Sequence, residues 1–218
     1  MRINRYVADA TGLSRRKADQ LIRDGKISVD NEIATIGQNI SLDQSVALGN
    51  IKLKINQKPL TILFNKPVGY VVSRKGQGSK TIYSLLPKEY SKLNPIGRLD
   101  KDSSGLLLLS SSGHLIQSLS HPSKGKQKTY QVDLDRPLND EDKSLIKKGI
   151  RLNDGLSKLD IIKTNSNKLT LVMTEGRNRQ IRRTFEALGY RVTRLNRIAM
   201  GEYKLGTLKT GKYIKISD

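Results

Sequence analysis

Cysteine is absent from this 218-residue chain, and histidine occurs only twice, at His114 and His121. No disulfide, thiol nucleophile or cysteine-based zinc site is therefore available. Neither histidine has the second-ligand spacing of a zinc site, and His121-Pro122 reads as loop. No Gly-x-x-x-x-Gly-Lys-Ser/Thr occurs, because each Gly-Lys pair is followed by Ile, Gln or Tyr, which excludes a P-loop. No dinucleotide fingerprint follows a strand, and no carboxylate cluster points to metal-dependent phosphoryl transfer. No stretch approaches the roughly 18–20 apolar residues that cross a bilayer. The opening MRINRYVADA lacks the order of a secretory leader, so the expected location is the cytoplasm. Acids are scarce as well: 20 Asp+Glu face 40 Lys+Arg, a formal charge of +20. That excess points to a polyanion, nucleic acid first. A membrane surface is second and lacks a basic amphipathic helix or lipidation motif.

Apolar spacing divides the chain. Residues 2–10 predict a short helix with Ile3, Tyr6 and Val7 on one face, stopped by Thr11-Gly12. Ser14 is placed to cap a second helix bearing Ala18, Leu21 and Ile22. KISVDNEIA predicts two short strands around Asp-Asn, and VALGNIKLKI a further alternating stretch. The helices carry Arg2, Arg5, Arg15, Arg16, Lys17 and Arg23, which read as phosphate contacts or as an ordinary solvated face. The organisation expected is a small unit at 1–56, a linker at 57–60 and a larger domain at 61–218. In the larger domain TILFNKPVGYVVS predicts strand, turn and strand. GLLLLS, KTYQVDL, LDIIKT and KLTLVMT predict further strands, with helices near 114–120, 140–148 and 178–188. Strands and helices do not alternate, so the class is α+β with a mostly antiparallel mixed sheet.

With the usual nucleophiles and metal ligands missing, chemistry falls to carboxylate, Tyr, Lys or Arg. Asp100 in GRLD sits between a turn and the buried run Leu106–Leu109. Tyr130 opens a strand in a basic setting. Ile181, Phe185 and Leu188 form the buried stripe of an arginine-rich helix, and seven arginines (177, 179, 182, 183, 191, 194, 197) lie between 177 and 197. Taken singly, Asp100 reads equally as a turn cap, Tyr130 as a half-buried strand tyrosine and the arginines as a phosphate-binding face.

Four ordered segments connect them: FNKPVGYVVS, GRLDKDSSGLLLLSSSG, HPSKGKQKTYQV and EGRNRQIRRTFEALGYRVTRL. Together they resemble the signature segments of the RsuA family of ribosomal RNA pseudouridine synthases (RsuA/RluB-like). SRRKADQLIRDGKISVDNEIA resembles the small alpha-L, S4-like RNA-binding domain that precedes the catalytic domain in that family. The match spans almost the whole chain. Ser103 and Ser104 stand where Thr is common, and Thr184 stands where Met or Leu is frequent.

The resemblance implies isomerisation of uridine to pseudouridine without metal, redox cofactor or ATP. Asp100 would be the essential acid, either attacking C1′ or removing a C2′ proton. Arg182 would pair with Asp100 and lower its pKa, and Tyr130 would stack on the uracil. Arg98 would fill the space left by the flipped base. Lys66, Lys128, Arg177, Arg179 and Arg183 would contact RNA with the N-terminal arginines. The partner would be ribosomal RNA or a precursor particle, large subunit ahead of small, bound by a monomer. The alternative is a ribosome-assembly factor that keeps the fold without catalysis.

Overall fold

Two short punctuation marks shape the first unit. Gly12, at φ 72°, ends α1 (Ile3–Thr11) by returning its N–H to Ala8 O. Ser14 opens α2 (Arg15–Arg23) by accepting the Lys17 N–H at 3.2 Å. β1 (Ile27–Val29) turns into β2 (Glu32–Ile33) through Asp30 and Asn31 at φ 50° and 71°, the left-handed pair that a two-residue hairpin requires. β3 (Val46–Leu48) and β4 (Ile51–Lys52) complete an antiparallel sheet of order β2-β1-β3-β4. Ile3, Val7, Ala18, Ile22, Ile27 and Val46 are the buried centre of this unit.

The computed structural model describes residues 1–41, 43–55, 59–76, 78–120 and 125–216. The chain divides into the units Met1–Pro59 and Leu60–Asp218. His121-Pro122 and residues 57–58 of the expected linker lie outside the described residues. No helix among the described residues is long and apolar enough to cross a membrane.

The second unit contains β5 (Thr61–Lys66), β6 (Asn94–Ile96), β7 (Ser104–Ser110), α3 (Gly113–Ser120), β8 (Lys128–Leu134) and α4 (Asp140–Lys148). The hairpin β9 (Ile150–Leu152) and β10 (Gly155–Ser157) follows, then β11 (Asp160–Asn165), β12 (Lys168–Met173) and α5 (Gln180–Glu186). β13 (Val192–Met200), β14 (Tyr203–Lys204) and β15 (Tyr213–Ile216) close the chain. The main sheet runs β11-β12-β8-β13-β7-β5-β15, with β14 on β13 and β6 on β7. Among its described pairings only β13–β7 is parallel, so the α+β, mostly antiparallel expectation holds.

Both faces of the central strands are covered. Leu107 and Leu109 pack with Ile62, Phe64 and Val132, whereas Leu106 and Leu108 pack with Leu63, Ile96 and Leu119. This double burial is why β7 reads as an unbroken apolar run. The strand expected after the Lys-Pro turn does not form. Val71 makes only an isolated bridge to Thr81, and a 3-10 turn at Ile82–Leu85 follows. Gly105 has a structural reason of its own. At φ 103°, a Cβ there would lie 2.3 Å from Arg197 O, so only glycine lets β7 and β13 approach in parallel.

Candidate active site

One register line across the sheet builds the site. Gly105 on β7 faces Arg197 on β13, and Arg197 faces Tyr130 on β8. The loop holding Asp100 ends where β7 begins, so Asp100 enters the sheet at the level of Tyr130. A cleft of about 510 Å³ opens there. It brings together Arg98, Asp100, Lys128, Tyr130, Arg177 and Arg179 over an apolar floor of Met173, Ile181 and Leu195. Tyr130 is 7% exposed, Arg98 is exposed and Asp100 is half-buried. An apolar floor with convergent polar groups at its edge is the usual form of a small-ligand site.

The Asp100 loop is held from below. Lys66, at the end of β5, is 0% exposed. Its Nζ donates to the carbonyls of Asp100 (3.0 Å), Ser103 (2.7 Å) and Pro67 (3.0 Å). The Ser103 N–H closes a turn on Asp100 O at 3.1 Å, and Gly69 N–H donates to Lys101 O at 2.7 Å. Burial lowers the pKa of Lys66 to about 8, while the charges of Asp100 and Asp102 oppose that shift. The sequence predicts Lys66 as an RNA contact; the structure instead buries it beneath the Asp100 loop. Its three N–H groups are all committed to backbone carbonyls.

The arginine helix is held by acids from two loops. Arg182, expected to pair with Asp100, instead pairs with Asp102, Nε to Oδ2 at 3.2 Å. It also donates to Asp102 O and to Val192 O, each at 2.8 Å. The expected partner is displaced by two residues because Asp102, at the far end of the loop, meets the face of α5 that Arg182 occupies. Burial lowers the Arg182 pKa first, with Asp102 opposing, Arg179 adding to the shift and Asp100 opposing. Arg179 enters α5 at φ 47° and holds both Asp102 oxygens at 3.0 Å. A left-handed non-glycine residue at a cleft edge is characteristic of functional sites.

Arg177 and Arg183, predicted as RNA contacts, converge on Asp154 in the β9–β10 turn at 3.0 and 2.7 Å. The Lys128 ammonium donates to Thr174 O at 3.1 Å, and its pKa is lowered by burial and then by the charge of Arg197. In the first unit Arg2 donates to Gly37 O and Arg5 pairs with Asp9 at 3.6 Å. Arg15, Arg16, Lys17 and Arg23 are exposed on α2. Two residues at the site were not singled out in the sequence. Asp102 is two positions after Asp100 in the same motif, a spacing that could have marked it. Arg197 carries no signal apart from its place among seven arginines.

Comparison with known proteins places the chain in a family. Residues 60–187 match the family model described as RNA pseudouridylate synthase, and residues 1–46 match that of the S4 domain. An uncharacterized RNA pseudouridine synthase of Aquifex aeolicus is 32% identical over 100% of this chain and 90% of its own length. A ribosomal large subunit pseudouridine synthase B of Bacillus subtilis is 33% identical over 96% of this chain and 89% of its own. A pseudouridylate synthase crystal structure superposes with a TM-score of 0.69 at 29% identity, covering 100% of this chain and 96% of the other. The chain therefore belongs to the RNA pseudouridylate synthase family, with an S4 domain at its N-terminal end.

Proposed function

We propose that this protein isomerises a specific uridine to pseudouridine in large-subunit ribosomal RNA. The observation that carries the reading is the single cleft holding Asp100, Tyr130 and an apolar floor within a cationic rim. The large-subunit assignment follows the names of the relatives from Bacillus subtilis and Haemophilus influenzae. The protein acts as a cytoplasmic monomer.

In this reading the target nucleotide leaves its stack and places its ribose at Asp100 and its base against Tyr130. The apolar floor of Met173, Ile181 and Leu195 suits a planar ring. The Asp100 carboxylate attacks C1′ or removes the C2′ proton, and the C1′–N1 bond breaks with its electron pair on uracil. The base turns and C5 bonds to C1′, which breaks the Asp100–C1′ bond and restores the carboxylate on the first route, or returns the proton from Asp100 to C2′ on the second. The C5 proton leaves, and N1 gains a proton. Uridine and pseudouridine contain the same atoms, so no co-reactant enters. Arg98, exposed at the rim, occupies the gap in the RNA stack. Lys66 and Arg182 act on Asp100 through its loop, one from below and one through Asp102.

The test is incubation of the purified protein with unmodified ribosomal RNA and chemical mapping of pseudouridine, with Asp100→Asn beside it. One new site in large-subunit RNA, absent with the variant, is the expected result. A site in small-subunit RNA would correct the substrate. Tight binding without modification of free RNA or precursor particles would favour an assembly factor instead.

A further inference from the structure

Arg197 is among the largest fully buried side chains of the protein, 2% exposed on the floor of the cleft. Its register opposite Tyr130 puts both side chains on one face of the sheet. Nε donates to Leu106 O at 2.8 Å, which fixes the guanidinium plane against β7. Nη2 is buried and has no hydrogen-bond partner. No salt bridge to Arg197 occurs among the described residues. Its charge acts instead on another cation, Lys128.

A buried guanidinium without a counter-charge is among the most costly arrangements that a fold can hold. Arg177, Arg179, Arg182 and Arg183, all less buried, each have a carboxylate partner. The contrast points to a ligand that completes Arg197. RNA phosphates belong at the exposed rim, near Arg98 and Arg179, whereas the floor beside Tyr130 suits a base. Uracil also becomes anionic in this cleft if the C1′–N1 bond breaks heterolytically. The pair left on the ring spreads over N1 and both carbonyl oxygens.

We propose that Arg197 is a further catalytic residue, donating a guanidinium N–H to a carbonyl oxygen of the target uracil and strengthening that hydrogen bond as the base departs as an anion. The inference rests on the isomerisation reading above. A donor already fixed by Leu106 O stabilises the departing base more than the bound nucleotide, so it raises turnover rather than affinity.

The experiment uses the full chain and ribosomal RNA transcripts made with uridine, 2-thiouridine or 4-thiouridine. Single-turnover pseudouridine formation and RNA affinity are measured for wild type, Arg197→Met and Arg197→Lys. Sulfur accepts hydrogen bonds less well than oxygen, and any change in RNA folding is common to all three enzymes. Arg197→Met is expected to react roughly 10- to 100-fold more slowly with uridine while keeping its RNA affinity. One of the two sulfur substitutions should slow wild type and leave Arg197→Met no slower than it already is. Equal sulfur effects in both enzymes would overturn the proposal. So would a loss confined to RNA affinity with a shallower salt dependence, which marks a phosphate contact. If Arg197→Met does not fold, Arg197→Lys carries the same comparison, since its shorter reach misplaces the donor while retaining the charge. Absence of product with wild type would refute the isomerisation reading and this inference together. Product with wild type and equal sulfur effects would refute only the inference.

Discussion

Two arginine-rich helices in this chain have different electrostatics. On α2, Arg15, Arg16 and Lys17 are exposed and make no salt bridge among the described residues. Around α5, Arg177, Arg179, Arg182 and Arg183 each meet a carboxylate, Asp102 or Asp154. Density of arginine is thus not the same as available charge. The α2 cations are free for a polyanion, whereas the α5 cations fix the Asp102 loop beside the cleft and the β9–β10 turn. Substitutions in the first set should change binding and its salt dependence, and substitutions in the second should change geometry.

Arg182 tests that contrast most severely. Arg182→Met removes three contacts at once, to the Asp102 carboxylate, Asp102 O and Val192 O. A shift of about 1 Å in a reacting group can cost roughly 100-fold in rate, and turnover should fall by at least that much with RNA affinity kept. Asp102→Asn should reproduce part of the loss, because the backbone contact survives. Measuring kcat and RNA affinity separately decides the matter. An equal fall in both would make Arg182 a phosphate contact and erase the distinction between the helices.

Lys66 sharpens the same point from the buried side. Lys66→Met leaves the carbonyls of Pro67, Asp100 and Ser103 without their donor, at a cost of about 2–4 kcal/mol in unfolding free energy. The pH dependence has two parts. The folded pKa, about 8, lies below the ordinary 10.5, so the unfolded chain binds more protons between those values. The contribution of this group to stability therefore increases with pH across that window. Yet the neutral amine has one donor fewer for three carbonyls. Turnover should decline as pH rises through about 8 while the domain stays folded, as read by a pH–rate profile beside thermal melts. A flat profile through pH 8 would remove Lys66 from the control of the Asp100 loop.

Those residues also mark how far the sequence could be read. β8, β12 and the stripe of α5 were legible because one-sided burial imposes a period on them, and β5 and β7 because burial on both faces gives a short continuous apolar run. Asp100 and Tyr130 became a pair only through the ordered motifs, since their meeting depends on strand pairing across more than twenty residues. β13 was missed although it is central to the sheet, because VTRLNRIAM places Arg194, Asn196 and Arg197 where an apolar pattern was sought. Two of those, Asn196 and Arg197, are buried. Lys66 was read as an RNA contact because lysine is rarely buried without a paired charge. The partner of Arg182 could not be read, since loop conformation decides whether Asp100 or Asp102 meets α5.

The free cations of α2 come next in expected effect. Replacing Arg15, Arg16 and Lys17 together with Gln should weaken RNA binding and reduce its logarithmic salt slope by roughly 2 to 3, if each neutralises one phosphate. The rate at saturating RNA should be retained. Affinity measured over a range of salt concentrations gives the answer. An unchanged slope would mean that α2 is only a solvated face.

Asp154 should give the smallest effect, and it isolates pairing from binding. Hydrogen bonding from Arg183 holds its carboxyl below the usual value of 3.8, with the Arg177 and Arg183 charges adding to the shift and slight desolvation opposing it. A carboxyl lowered on folding contributes stability above about pH 3.8 and loses it as pH falls through its folded value. Asp154→Asn should therefore flatten the acid limb of the stability curve and change little at neutral pH, where exposed ion pairs couple weakly. It also takes the carboxylate from Arg183, while Arg177 keeps Asp154 O, Leu156 O and Glu175. If the α5 cations contribute to RNA binding only once released, affinity should rise and the salt slope should steepen. If they act through the β9–β10 turn, affinity should stay and turnover should fall slightly. Either change would separate what Arg177 and Arg183 do as charges from what they do as clamps.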